Sequence, residues 1–213
     1  MNVYDFDKTI YNGDSSIDFY IFCLKKQKKI IFLLPKQILA FFLYKTKIKD
    51  KIYFKQIYFS FLKYVSNVDE MIEEFWNENF YKFTNWYLKQ KKSNDVIISA
   101  SPAFLLNPLE KKLNIAKVIA TDVDKKSGKF LSKNCYGNEK ITFFKRYYSL
   151  SKIEKFYSDS LSDIYMLRKA KNGYIVNNRK NEIILIDKIL TSYNKLDIKN
   201  KKLYDKIRKK VVK

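Results

Sequence analysis

A chain of 213 residues, 46% of them hydrophobic, has room for one domain, or one domain carrying a sizeable insertion, and for a real core. It has no histidine and only two cysteines, Cys23 and Cys135, which excludes histidine acid–base chemistry, zinc sites and a disulfide framework, and suits a reducing cytosol. The net charge of +21 calls for an anionic partner, yet 39 of the 43 basic residues are lysine; a surface so poor in arginine forks is not expected to read nucleic acid. Abundant Ile, Asn, Tyr and Phe show that codon bias supplies part of that charge.

The chain opens on a short apolar run into Asp5-Phe6-Asp7-Lys8-Thr9. A strand over Met1–Phe6 sends Asp5 and Asp7 to one side at its end. Two carboxylates in a partly buried site repel each other unless a cation neutralises them; with no imidazole present, that cation is of the Mg²⁺ type. One carboxylate can then attack an electrophile while the other moves protons. An isolated Asp-x-Asp is common by accident, so its meaning depends on the rest of the chain. No leader segment is expected, because cleavage near the N-terminus would also remove Asp5.

Tyr11–Ser16 reads as a turn in which Asp14 or Ser15 caps the next helix. Residues 16–92 hold one proline and no glycine, and read as helices over 16–27, 28–46, 50–65 and 69–92. Within them Ile30–Tyr44 is an apolar segment of 15 residues, too short to span a bilayer and carrying Lys36 at its centre. Lysines 25, 26, 28, 29, 36, 45, 47, 49, 51 and 55 surround it, opposed only by Asp50. Apolar bulk in a lysine frame suits an anionic membrane interface, and a helix packed inside the helical block is the alternative.

From Asn94 the pattern alternates. Asp95–Ser99 reads as a buried strand, Phe104–Leu113 as a helix and Ala116–Val123 as a second strand; Asp124–Gly128 is a hairpin turn with Lys129–Lys133 returning. Lys140 enters a helix over Ile141–Ser149, and a strand over Ile153–Tyr157 ends at Asp159. A helix over Ile164–Ala170, a strand over Tyr174–Asn177 and an edge strand over Ile183–Asp187 complete a βα alternation that argues for a parallel sheet. Asp5, Ser99 and Asp159 thus each fall at the carboxyl end of a strand, the edge where open parallel sheets bind ligands.

These residues, in this order, resemble the haloacid dehalogenase superfamily phosphatases of the phosphoserine-phosphatase-like branch. The first motif, Asp-x-Asp-x-Thr, is matched by Asp5-Phe6-Asp7-Lys8-Thr9, the second by Ser99, the third by Lys140 and the fourth by Asp159 and Asp163. Lys8 departs from the glycine of many members, so the backbone there must tolerate a side chain. The resemblance implies an α/β fold: a Rossmann-like parallel-sheet core over 1–11 and 93–190, an inserted all-helical cap over 12–92, and a basic tail over 191–213. It also implies roles. Asp5 attacks phosphorus to give an aspartyl-phosphate, and Asp7 protonates the leaving group and then activates water. Mg²⁺ is held by Asp5, the Asp7 carbonyl and Asp159, with Asp163 orienting the metal's waters or Lys140. Ser99 and the amide of Ala100 bind phosphoryl oxygens, as does Lys140, whose charge at a helix start opposes the macrodipole unless an anion lies beside it. Asp14 meets a substrate amine or only caps its helix.

The expected activity is therefore Mg²⁺-dependent phosphomonoester hydrolysis in the cytoplasm at the inner face of the membrane. The phrases Ile98–Pro102, Cys135–Lys140 and Tyr157–Ser160 look like those of bacterial phosphatidylglycerophosphate phosphatases, which makes a lipid phosphate the expected substrate. A soluble-metabolite phosphatase of the phosphoserine type is the alternative. A basic binding protein without catalysis would be expected to have lost at least one motif residue.

Overall fold

The computed structural model describes residues 1–187; the basic tail over 191–213 lies outside the described residues. The first strand is shorter than its apolar run suggests. β1 (Asn2–Tyr4) stops before Asp5, whose amide still donates to the Tyr157 carbonyl at 2.9 Å. β1 is central: β2 (Val96–Pro102) pairs with it on one side and β4 (Lys155–Ser158) on the other, both parallel. β3 (Lys117–Thr121) lies outside β2, and β5 (Asn172–Asn177) outside β4. β6 (Glu182–Leu185) closes the edge, antiparallel to β5, so the order is β3-β2-β1-β4-β5-β6.

Residues of the central strands β1, β2 and β4 are buried on both faces, as parallel sheets require. Val3, Ile98, Ile119 and Phe156 face a core with Phe143 and Phe144 of α8 (Glu139–Lys145) and Ile164 and Leu167 of α9 (Ile164–Lys169). Tyr4, Ile97, Val118 and Tyr157 face the other core, which is largely aromatic. In it Tyr4 and Tyr174 both stack on Tyr157, with ring centroids 5.0 and 4.8 Å apart.

Between β1 and β2 the chain is helical, but more broken than the sequence suggests. α1 (Ser15–Lys26) is followed by a 3₁₀ segment (Lys28–Leu33) and α2 (Leu34–Lys45). The expected single helix over 28–46 is divided there because Pro35, at the first turn of α2, cannot donate back into a continuous ladder. α3 (Lys51–Phe59) is N-capped by Asp50, which accepts from the Tyr53 amide at 2.7 Å. The expected helix over 69–92 splits into α4 (Val68–Asn79) and α5 (Asn85–Gln90). At the break the chain turns extended so that Thr84 N donates to Ile10 O at 2.9 Å, while Asn12 N reaches Lys82 O at 2.8 Å. Those two bonds tie the end of the helical block to the loop after β1.

Two further expectations need correcting. Phe104–Leu113 is not one helix: α6 (Ala103–Leu106) and α7 (Leu109–Leu113) flank Asn107-Pro108. The return over Lys129–Lys133 is not a strand; only Val123 and Phe130 form a bridge around the turn. That turn touches the helical block directly. Gly128 has φ +75°, and a Cβ there would collide with the Phe59 carbonyl oxygen.

Candidate active site

Because β1 sits between β2 and β4, their carboxyl ends bring residues far apart in sequence to one edge. The loop after β1 makes a tight turn in which the Phe6 carbonyl accepts from the amides of Thr9, Ile10 and Tyr11. Lys8 takes the left-handed backbone there, φ +61°, which explains why glycine would be the easier residue; the conformation costs a side-chain-bearing residue roughly 1 kcal/mol.

Asp5 is buried and meets Lys140, whose Nζ donates to Asp5 Oδ1 at 2.5 Å and to Asp163 Oδ2 at 2.6 Å. Lys140 lies in the first turn of α8, only 2% exposed, where the anionic pair rather than the helix makes its charge favourable. Burial alone would lower its pKa, but Asp5 and Asp163 outweigh that and raise it. Burial pushes the Asp5 carboxyl up, Lys140 pulls against that shift, and Asp163 adds to it. Ser158 Oγ donates to Asp163 Oδ2 at 2.8 Å, whereas Asp163 Oδ1 is buried with no hydrogen-bond partner.

Thr9 joins the strand ends. Its Oγ1 donates to Asp5 Oδ2 and accepts from the Asp159 amide, both at 2.9 Å. Burial first, then the Asp5 charge, lifts the Asp159 carboxyl to about 6. Asp7 points elsewhere. Its Oδ1 accepts from the Ser15 amide at 2.6 Å and its Oδ2 from the Ser101 hydroxyl at 2.5 Å. Burial, followed by the neighbouring Asp14, raises its pKa to about 7. Ser99 is buried at the same edge and its Oγ accepts from the Ser101 amide at 3.0 Å. Asp14 Oδ1 accepts from the Ile17 amide at 3.2 Å and so caps α1, while its side chain also lines the cleft.

Asp5, Asp7, Asp14, Ser99, Ala100, Lys140, Asp159 and Asp163 therefore share one cleft. Sequence reasoning missed several of their companions. Ser101 and the Ser15 amide hold the Asp7 carboxylate; the signal was present, since Ser101 stands two residues after Ser99 on the same strand. Lys55, from α3, donates to Ala100 O at 3.0 Å and Asn134 Oδ1 at 3.1 Å. Burial and then Lys51 lower its pKa to about 8. Nothing in the sequence separated it from Lys51 or from the other lysines around Ile30–Tyr44.

Among the described residues, no three carboxylate, thiol or imidazole side chains converge to cage a metal by themselves. The donors at hand are hard oxygens: the crowded Asp5 and Asp159 carboxylates and the orphaned Asp163 Oδ1. Such a set fits a small divalent cation that keeps several waters and takes only one or two carboxylates.

Solved structures share this fold. A protein of unknown function from Bordetella pertussis Tohama I superposes with a TM-score of 0.65 at 15% identity, over 81% of this chain and 87% of that one. A probable phosphoserine phosphatase from Vibrio cholerae gives 0.57 at 13% identity, over 81% of this chain and 55% of that one. A phosphoserine phosphohydrolase-like protein from Francisella tularensis subsp. tularensis SCHU S4 gives 0.50 at 19% identity, over 81% and 86%. No curated protein matches the sequence significantly. Residues 3–168, which run from β1 through α9 and include every motif residue described above, match the sequence model of the haloacid dehalogenase-like hydrolases, and the chain belongs to that family.

Proposed function

We propose that the protein is a Mg²⁺-dependent phosphomonoester hydrolase that works through an aspartyl-phosphate and acts on a lipid phosphate at an anionic membrane surface. The buried cluster of Asp5, Lys140 and Asp163 carries the catalytic reading: it presents a carboxylate beside a fixed ammonium at the ligand edge of the sheet. Asp5 attacks the phosphorus in line, and the bond to the leaving oxygen breaks as the new bond forms. Asp7, with its pKa near 7, gives the leaving alkoxide its proton and then takes one from the water that hydrolyses the acyl phosphate. Lys140, Ser99 and the amide of Ala100 hold phosphoryl oxygens. Asp5, the Asp7 carbonyl and Asp159 would hold Mg²⁺, which offsets the charge of phosphate and carboxylates together.

The lipid reading is supported by the surface of α2. No helix among the described residues is long and apolar enough to cross a membrane. Ile30, Gln37 and Ala40 are buried, while Phe32, Leu39 and Phe42 are 82%, 59% and 60% exposed, alongside exposed Ile31, Ile38 and Ile48. Lysines 28, 29, 36, 45, 47 and 49 frame this patch, and Asp50, the one acid in the sequence from 25 to 55, is taken up as a helix cap. Exposed apolar surface of this kind marks an interaction site, and each lysine near an anionic leaflet adds up to about 1 kcal/mol.

A soluble phosphoserine-type activity is the second reading, prompted by the names of two similar structures. It meets an obstacle in the sequence: no arginine precedes Arg146, so no rigid fork is available from the helical block for a substrate carboxylate. The deciding experiment compares kcat/KM for a lipid phosphomonoester such as phosphatidylglycerophosphate in mixed micelles with that for phosphoserine. The lipid is favoured by at least about 100-fold, equivalent to roughly 2.7 kcal/mol. Equal or faster turnover of phosphoserine overturns the lipid reading.

A further inference from the structure

The catalytic cleft, about 410 Å³ in volume, is not polar throughout. With Asp5, Ser99 and Lys140 it shares a lining of Ile17 from α1 and Phe54, Tyr58 and Phe59 from α3. From there aromatic rings lead outward. Tyr58 and Phe54 have centroids 6.1 Å apart, Phe54 and Phe41 5.7 Å, and Phe41 and Phe42 6.2 Å. Tyr44 stacks on the side of Phe54 at 5.7 Å. The path begins beside the reacting residues and surfaces in the exposed apolar patch of α2, where Phe41 is 41% exposed.

A polar clamp keeps this path in place. Gln37 is buried in α2; its Oε1 accepts from the Tyr20 hydroxyl at 2.7 Å and its Nε2 donates to the Tyr58 carbonyl at 3.0 Å. The Tyr58 hydroxyl donates to Ser16 O at 3.2 Å. These bonds join α1, α2 and α3, the last two of which carry Phe41 and Phe54. Cations stand at both ends of the path: Lys55 at the inner end, bonded to Ala100 O, and Lys45 over the Phe41 ring at 5.4 Å. An apolar track with a phosphoryl site at one end and a lysine-ringed apolar surface at the other matches an amphiphile whose phosphate enters first.

We propose that Ile17, Tyr58, Phe54 and Phe41 form a subsite for a linear alkyl chain on the substrate's leaving group. The assignment rests on the phosphomonoesterase reading and deepens it: part of the chain leaves the bilayer and lies along the rings during turnover, so the apolar patch feeds the site as well as docking the protein.

The test needs no membrane. Straight-chain alkyl phosphates from ethyl to octyl, each kept below its micelle concentration, are compared by kcat/KM, with p-nitrophenyl phosphate as a general probe of activity. Full burial of a methylene contributes about 0.8 kcal/mol, so half-burial gives about a twofold gain per methylene and about 60-fold across the series. Phe54→Ser flattens the series from its short members onward. Phe41→Ser, at a half-exposed position that tolerates change, keeps the early rise and levels off only for the longer chains. A flat series in an enzyme that turns over p-nitrophenyl phosphate overturns the subsite and leaves the phosphatase reading standing. A wild-type slope that Phe41→Ser leaves unaltered removes Phe41 from the track and overturns the path to the surface. Failure to hydrolyse any of these esters overturns the phosphatase reading, and the subsite with it.

Discussion

Replacing Lys140 by methionine keeps most of the side-chain volume and removes the charge that holds two carboxylates together. The ammonium is 2% exposed and lies 2.5 Å from Asp5 and 2.6 Å from Asp163, so its loss leaves two buried acids facing each other with no counter-charge. Breaking a buried pair in this way costs about 3–5 kcal/mol. For a chain of this size each kcal/mol moves Tm by about 2–4 °C, which gives a fall of about 6–20 °C. The loss depends on pH, and its sign follows from Asp5. Burial already raises that carboxyl in the presence of Lys140, and removing the ammonium raises it further. A carboxyl whose folded pKa exceeds its unfolded value stabilises the fold fully at low pH and stops doing so as pH rises through the folded pKa. Lys140→Met is therefore least stable, relative to wild type, at about pH 8, and recovers part of the deficit at about pH 5. Thermal melts followed by circular dichroism, in chelator so that no divalent ion stands in for the lysine, measure this directly. Adding Asp163→Asn to Lys140→Met removes one of the stranded charges and restores part of the lost Tm at about pH 8. Equal melting of wild type and Lys140→Met at both pH values, or a larger deficit at the lower one, refutes the reasoning.

Other outcomes follow from the same geometry. Gly128→Ala forces a Cβ against the Phe59 carbonyl in a left-handed backbone and costs about 1–3 kcal/mol, read as a drop in Tm. Gln37→Leu strands the Tyr20 hydroxyl and the Tyr58 carbonyl, costs about 1–3 kcal/mol, and opens the α2 region to limited proteolysis at protease levels that spare wild type. The protein floats with anionic vesicles, less so as salt rises; changing Phe32, Leu39 and Phe42 to serine releases it while p-nitrophenyl phosphate hydrolysis persists, whereas wild type that stays unbound on every vesicle composition refutes membrane docking.

The α/β class and the parallel sheet could be read from the chain because their signals are local. Val96–Ile98 and Phe156–Tyr157 are apolar on successive residues, as strands covered on both faces must be. Asp5, Ser99 and Asp159 were recognisable because each follows such a run. Where tertiary contacts decide, the sequence was silent. The break at Phe83 and Thr84 reflects the bonds from Thr84 N to Ile10 O and from Asn12 N to Lys82 O, which join residues far apart in the chain. Of the partners of Asp7, Ser101 shares a strand face with Ser99, but the Ser15 amide at the start of α1 has no such signal. Lys55 resembles Lys51 of the same helix until the fold carries it to the Ala100 carbonyl. Pro35 and Pro108 each stand at a break in a segment that the sequence reading carries through as one helix.

On the proposed mechanism Asp5 becomes phosphorylated during turnover. Acid quench of wild type during hydrolysis of a phosphomonoester in the presence of Mg²⁺, followed by peptide mass mapping, tests it most directly. One added phosphoryl group, labile to base, is expected on the peptide carrying Asp5, and none in Asp5→Asn, whose activity falls by more than about 10³-fold in a folded protein. A phosphoryl group on a different residue, or near wild-type turnover by Asp5→Asn, contradicts it.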